Sequence, residues 1–264
     1  MTDLLPPRFA AWFAARGWTL RPHQAEVLEA ARQGQSALVI APTGGGKTLA
    51  GFLPSLVELA AAPDVARPHT LYISPLKALA TDIARNLEAP IAEMGLDIRV
   101  ETRTGDTPQN RRQRQRRDPP QILLTTPESL ALLLAYPDAD TYFKGLRRVV
   151  LDELHALVPN KRGQLLGLGL ARLRRLAPDL QLVGLSATVA EPEALRGWLD
   201  HPRKPARLVT CPPGVEPVIE VMVPGGHMPW SGHFGVYAGG DLYAAIRAHA
   251  VTLVFTNTRS QAEI

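Results

Sequence analysis

Apolar residues recur along the chain in short runs rich in branched side chains, at 37–41, 70–74, 98–102, 122–126, 149–152, 182–186 and 253–256. Runs this short and continuous, rather than alternating with polar residues, are typical of strands covered on both faces. Between them the apolar positions take up helical spacing, most clearly over 49–60 and 165–176. Strands alternating with helices predict an α/β fold with a mostly parallel sheet. In such sheets functional sites form outside the carboxyl ends of the strands. The residues that follow each run are therefore the ones to inspect.

The pattern breaks after about residue 190. Residues 191–240 are rich in proline and glycine, as in CPPGVEP and VPGGHMPWSGHFG. They are expected to connect a first domain at 1–190 to a second, with one short strand at 218–223. A helix at 241–249 and a strand at 251–256 then open a second α/β unit, of which the sequence through Ile264 holds only the beginning. No internal repeat is visible.

The first run leads into Ala41-Pro42-Thr43-Gly44-Gly45-Gly46-Lys47-Thr48, followed by an apolar helix. This is a P-loop with Ala41 where the general pattern has its first glycine. Three glycines let the backbone curl until its N–H groups converge on phosphate oxygens, and the positive end of the next helix faces the same point. Lys47 is placed to reach β- and γ-phosphates, and Thr48 to put its hydroxyl on Mg²⁺. The run at 149–151 ends in Asp152-Glu153-Leu154-His155. Acids at a strand end beside a P-loop form a Walker B arrangement, in which Asp152 holds Mg²⁺ and Glu153 orients or deprotonates the attacking water. ATP and Mg²⁺ are the expected cofactors.

Composition narrows the picture only a little. Hydrophobic residues make up 45% and charged residues 20%, as in ordinary soluble domains. No apolar run approaches the roughly 18 residues needed to span a bilayer. The opening MTDLLPPRFAAWF carries an early acid and no basic stretch before an apolar one, so no signal peptide is expected. A single cysteine, Cys211, excludes an internal disulfide framework and fits a reducing cytoplasm. The net charge of +4 permits nucleic acid as a partner without requiring it. Arginine heavily outnumbers lysine, which codon bias explains as well as phosphate binding does. His201, His227 and His233 lack the carboxylate or cysteine spacing of a metal site and read as solvated or structural. The tract 111–117, RRQRQRR, has two open readings: a grip on a phosphate backbone, or a solvated helix face.

Asp152-Glu153-Leu154-His155 downstream of this P-loop resembles the DExH box of superfamily 2 helicases, and Ser186-Ala187-Thr188 resembles their motif III. The resemblance implies that His155, Ser186 and Thr188 couple nucleotide state to nucleic-acid binding. It also implies that Gln24, in LRPHQAEVL, reads adenine through the donor and acceptor of its amide. SPLKAL at 74–79, with Pro75 and Lys77, resembles motif Ia. Arg103-Thr104-Gly105-Asp106-Thr107 resembles the TGD segment, and Thr125-Thr126-Pro127-Glu128 resembles motif Ib. Each joins a turn to a helix start, with Thr126 as an expected N-cap. Free N–H groups, hydroxyls and a lysine suit phosphate binding without base reading.

SPLKALA, RTGDT, PPQILLTTPESL, DELH with Lys161-Arg162-Gly163 behind it, and SAT are similar to the large helicase-related (Lhr) family. MPWSGH at 228–233 resembles that family's bacterial ligase-associated DExH-box branch. The resemblance implies a motor of two RecA-like domains with ATP between them, the second supplying arginine fingers. LVFTNTR at 253–259 resembles motif IV, the start of that second domain. Also implied are DNA repair, 3′-to-5′ movement on single-stranded DNA or on DNA or RNA–DNA duplexes, a bacterial nucleoid location, and ligase and nuclease partners. The residues leave other readings open: an RNA or RNA–DNA helicase, or a nucleotide-binding module with little turnover of its own.

Overall fold

The computed structural model describes residues 4–42, 44–62, 68–187, 189–200, 204–211, 217–222 and 238–263. It comprises two compact units, Met1–Gly214 and Val215–Ile264. The first begins with helices α1 (Pro7–Ala15) and α2 (Pro22–Arg32). It continues through β1 (Ala37–Ile40), α3 (Lys47–Ala61), β2 (Thr70–Ile73), α4 (Lys77–Glu93) and β3 (Val100–Arg103). Next come α5 (Gln109–Arg117), β4 (Ile122–Thr125), α6 (Pro127–Leu134), α7 (Ala139–Phe143) and β5 (Arg148–Leu151). The unit closes with α8 (Leu154–Leu157), α9 (Lys161–Leu176), β6 (Gln181–Ser186), α10 (Pro192–Leu199) and β7 (Arg207–Thr210).

The seven strands form one sheet in the order β3-β4-β2-β5-β6-β1-β7, every pair parallel. Successive strand residues face opposite sides, and the sequence uses both. Ala37, Val39, Tyr72, Val150 and Leu185 pack with α1 to α4 in one apolar layer. Leu38, Ile40, Leu71, Ile73 and Leu151 pack with α6 to α10 in the other. Coverage on both faces is why the strands read as continuous apolar runs.

Register places the candidate loops. Ile40 pairs with Ser186 and Thr210, Ile73 with Thr125 and Leu151, and Arg103 with Thr125. The loops after β1, β2, β3, β4, β5 and β6 thus all leave from one edge of the sheet.

The opposite edge has its own polar cluster. Arg148, 1% exposed, donates to Glu58 at 2.8 and 3.0 Å, to Ser55 at 3.0 Å and to Gln181 at 2.6 Å. Arg148, Glu58 and Gln181 line a cavity of about 820 Å³ far from the strand-end loops.

The structure departs from the sequence pattern in two places. The first unit does not close near residue 190: β7 pairs with β1, and the Cys211 N–H donates to Ile40 O at 2.8 Å. A four-residue strand flanked by prolines becomes legible only through the sheet edge it completes. In the second unit, helices α11 (Gly239–Arg247) and α12 (Arg259–Ala262) are present, but 251–256 is not a strand. Val251, Leu253 and Phe255 are 85, 78 and 90% exposed. An apolar run becomes a strand only when a neighbour takes its N–H and C=O groups, and none does among the described residues of this unit. Residues 217–222 are likewise without regular structure. Val223, MPWSGH, His201, His227 and His233 lie outside the described residues.

Candidate nucleotide and nucleic-acid site

The turn from β1 into α3 is built on glycine. Gly44 and Gly46 take φ of 77° and 78°, a left-handed conformation that a side chain would strain. A Cβ on Gly46 would also lie 3.2 Å from Gln24 Nε2. Lys47 opens α3 and donates from Nζ to Ala41 O at 2.8 Å, arching over the loop. Thr48 follows it, half-buried. Thr43 lies outside the described residues.

Gln24 is 3% exposed in the first turn of α2, and its Oε1 accepts from the Arg21 N–H at 3.0 Å. The amide therefore caps α2 while its nitrogen faces the P-loop. It lines a cavity of about 510 Å³ together with Arg21, Trp18, Gly46 and Thr48. His23, 5% exposed, backs the same turn. Burial, and next the Arg21 charge, hold its imidazole below the ordinary pKa, against a backbone hydrogen bond at Gly45. Trp18, Arg21 and His23 were not legible as site residues, since nothing in their spacing relates them to the P-loop.

Asp152, 8% exposed, follows β5. Its Oδ1 accepts from the Glu153 N–H at 2.9 Å, and its Oδ2 accepts from the Tyr72 hydroxyl on the adjacent strand β2. Burial, and then the Asp152 charge, push the Tyr72 hydroxyl far above its ordinary pKa, so it remains a donor. Glu153 has φ 48° and ψ 45°, left-handed backbone at a residue with a side chain. Such strain clusters at functional sites, where surrounding structure maintains it. His155 Nε2 lies 3.4 Å from Glu153 Oε2, and its Nδ1 lies 3.1 Å from Ser186 Oγ at the end of β6. Thr188 lies outside the described residues. Glu153, His155 and Ser186 thus form a continuous polar chain between two strand ends.

No group of three or more His, Cys, Asp and Glu among the described residues could hold a metal by itself. Asp152 with Thr48 nevertheless suits Mg²⁺, which binds through one or two protein oxygens and takes phosphate and water for the rest.

The loops expected to bind nucleic acid fall into two groups. Lys77, the first residue of α4, reaches Asp106 at 2.8 and 2.9 Å; the two side chains are 53 and 76% exposed. A pair so exposed is worth about 0.5 kcal/mol, so a phosphate displaces Asp106 at little cost. The α4 N-terminus has no side-chain cap, which leaves N–H groups beside Lys77. Gly105 and Asp106 are exposed, and Thr107 accepts from the Thr104 N–H at 2.9 Å, shaping the turn.

The second group is engaged within the protein. Arg103 is 3% exposed and donates to Arg112 O at 2.9 Å, so it faces inward. The Thr126 hydroxyl caps α6 by accepting from the Ser129 N–H at 3.4 Å, as expected of an N-cap, but it is buried. Pro127 is buried behind it. Glu128 is exposed but bound by Arg162, whose hydrogen bonds hold its carboxyl below the usual range. Arg111, Arg112, Arg114 and Arg116 are occupied in docking α5, while Arg117 at its end is exposed. Arg111 and Arg114 reach Glu101, Arg112 reaches Thr104 O at 3.2 Å, and Arg116 reaches Asp138 at 2.7 Å over the Tyr136 ring.

The DEAD/DEAH box helicase family model matches residues 21–195. The Lhr helicase/uracil glycosylase of Escherichia coli is 37% identical, over 99% of this chain and 19% of its own length. The ATP-dependent helicase Lhr-Core of Methanocaldococcus jannaschii is 36% identical, over 99% and 33%. The solved structure of Mycobacterium smegmatis helicase Lhr bound to ssDNA and AMP-PNP superposes with a TM-score of 0.84 at 36% identity, covering 98% of this chain and 34% of that one. The chain thus spans a fifth to a third of these relatives. No helix among the described residues is long and apolar enough to cross a membrane. With the family model matched over residues 21–195, the chain belongs to the DEAD/DEAH box helicase family and is homologous to the Lhr helicases.

Proposed function

We propose that this chain is the ATP-binding wall of a motor that hydrolyses ATP to move along single-stranded DNA. The observation that carries the reading is the chain Glu153–His155–Ser186, which joins the hydrolytic carboxylate to the neighbouring strand end at 3.4 and 3.1 Å. Lys47 neutralises β- and γ-phosphate charge once it leaves Ala41 O. Thr48 and Asp152 would hold Mg²⁺, which would neutralise phosphate charge when bound. The Glu153 carboxylate orients the attacking water and accepts its proton. The N–H groups at the start of α4, with Lys77 and the turn at 105–107, take phosphates of the track. Such contacts position a strand without reading its bases.

Single-stranded DNA as the track is supported by what the Mycobacterium smegmatis relative was solved with. Movement 3′-to-5′, a role in DNA repair and work beside a ligase and a nuclease rest on the likeness of SPLKALA and RTGDT to the Lhr family and of MPWSGH to its ligase-associated branch. ATP sits against a second RecA-like domain in that reading, so turnover belongs to the protein carrying both. The test measures ATPase of this chain and of a version extended through the second domain, with and without single-stranded DNA. Unwinding is then compared on 3′- and 5′-tailed DNA–DNA, RNA–DNA and RNA–RNA duplexes. The expected result is DNA-stimulated turnover in the extended protein and unwinding of 3′-tailed substrates. DNA-independent turnover, or a preference for RNA–RNA duplexes, would sink the reading.

A further inference from the structure

Arg162 lies outside both the ATP chemistry and the expected phosphate contacts, yet it connects three of the strand-end segments. Its Nε and Nη2 reach Glu128 Oε1 and Oε2 at 2.5 and 3.1 Å, and its Nη1 donates to Pro75 O at 2.8 Å. Glu128 stands in the first turn of α6, after β4, and Pro75 in the loop after β2, the adjacent strand. One planar guanidinium therefore holds two neighbouring loops in fixed relation, which a flexible ammonium could not do.

The root of this side chain is equally constrained. Asn160 Oδ1 accepts from the N–H groups of Arg162 at 2.8 Å and Gly163 at 3.2 Å, and its Nδ2 donates to Ala156 O at 2.7 Å. A Cβ on Gly163 would lie 2.2 Å from Leu157 O, so only glycine lets α9 approach α8 this closely. Helix α8 begins directly after Glu153 and contains His155. The backbone from Glu153 to Gly163 is thus one stiff piece with the hydrolytic carboxylate at one end and the Arg162 fork at the other.

We propose that Arg162 is a positioning residue that carries displacement of the DExH segment to the loops at Pro75 and Glu128, setting their spacing as nucleotide binds. This route runs across the face of α6 and α9, separate from the contact of His155 with Ser186. It rests on the reading of the β2 and β4 loops as part of the nucleic-acid track. It also accounts for Glu128, since a carboxylate on a phosphate track repels its ligand unless its charge is engaged, and here Arg162 engages it.

The test uses the full-length protein and a fluorescein-labelled oligo-dT, with affinity measured by anisotropy with and without AMP-PNP and Mg²⁺. Glu128→Gln and Arg162→Gln are each expected to weaken binding about 3- to 10-fold, the scale on which residues along a coupling route act. Each should also shrink the difference that AMP-PNP makes. The double variant should do no more than the stronger single one, because both break the same strut. Arg162→Lys should fail to restore the AMP-PNP effect. AMP-PNP affinity without DNA should move less than about twofold, which a general loss of structure would not permit. Glu128→Gln removes only one end of a half-exposed pair and should stay folded. Tighter DNA binding by Glu128→Gln would overturn the proposal, since Arg162 would then be a direct phosphate ligand that Glu128 restrains. Unchanged binding and AMP-PNP effect in both variants, beside weakened binding by Lys77→Ala, would also overturn it and leave the track in place. No effect from Lys77→Ala either would remove the track reading and the strut with it.

Discussion

Tyr72 and Asp152 meet at adjacent strand ends, the phenol donating to the carboxylate Oδ2 within the apolar layer that also holds Phe52. This hydrogen bond fixes the rotamer of the residue expected to hold Mg²⁺. Tyr72→Phe keeps the ring and removes the donor. It should cost about 1–2 kcal/mol of stability, because a nearly buried carboxylate loses a partner. The Mg²⁺ concentration giving half-maximal ATPase should rise roughly 10-fold, the low end for outer partners of metal ligands. A Mg²⁺ titration of turnover checks this; an unchanged midpoint would mean that Asp152 is oriented by other groups.

Lys47 and Glu153 should separate binding from chemistry. In the full-length protein Lys47→Ala should lower ATP turnover about 10²- to 10³-fold, as when one charge-stabilising donor is lost, while the chain stays folded. Glu153→Gln should keep ATP affinity and lower turnover about 10²- to 10⁴-fold, the range for a general base. Nucleotide binding and single-turnover hydrolysis, measured side by side, decide both. Wild-type turnover in either variant would remove that residue from its role.

The exposed pair Lys77–Asp106 makes a signed prediction about salt. Asp106→Asn frees Lys77 and should tighten binding to single-stranded DNA. Lys77→Ala should weaken it on every sequence alike and make the slope of log affinity against log salt shallower by about 0.7, one phosphate contact on a single strand. Titrations with several unrelated oligonucleotides read both effects. An effect confined to one sequence would move the track to other loops.

Glu58 should govern acid stability from the far edge of the sheet. Burial works to raise its carboxyl pKa, but hydrogen bonds from His69 and Arg148 outweigh it and bring it to about 2. A depressed folded pKa means stability that is present above the unfolded value near 4.5 and lost as pH falls from there towards about 2. Glu58→Gln should therefore melt below wild type at neutral pH, with the gap closing as pH drops below about 4. Thermal melts across about pH 2.5 to 7, on this chain alone, test the sign. A gap independent of pH would show that the ion pair with Arg148 is not what Glu58 contributes.

The sequence alone determined the parts that depend on neighbours along the chain. The apolar runs at 37–41, 70–74, 122–126, 149–152 and 182–186 were legible as strands from their own composition. Gly44 and Gly46 turn the loop after β1 through their own left-handed backbone angles, and Lys47 follows directly in the chain. Thr126 caps α6 because the N–H it serves is three residues away. Asp152 and Glu153 were legible as strand-end acids for the same local reason.

What the tertiary structure decided are relations between residues far apart in sequence. Arg103, read as a phosphate contact, is turned inward because α5 closes over the end of β3. Arg111, Arg114 and Arg116 became docking arginines only once Glu101 and Asp138 lay within reach. Strand β7 exists because β1 offers it an edge, whereas the similarly apolar run at 251–256 has no such edge among the described residues of its unit and forms no strand. Tyr72 meets Asp152, and Arg162 meets Glu128 and Pro75, across 80, 34 and 87 positions of chain. Hydrogen bonds and ion pairs act over a few ångströms of space whatever the distance along the chain. Periodicity therefore reveals which face of an element is buried, and only the packed sheet reveals which charges it brings together.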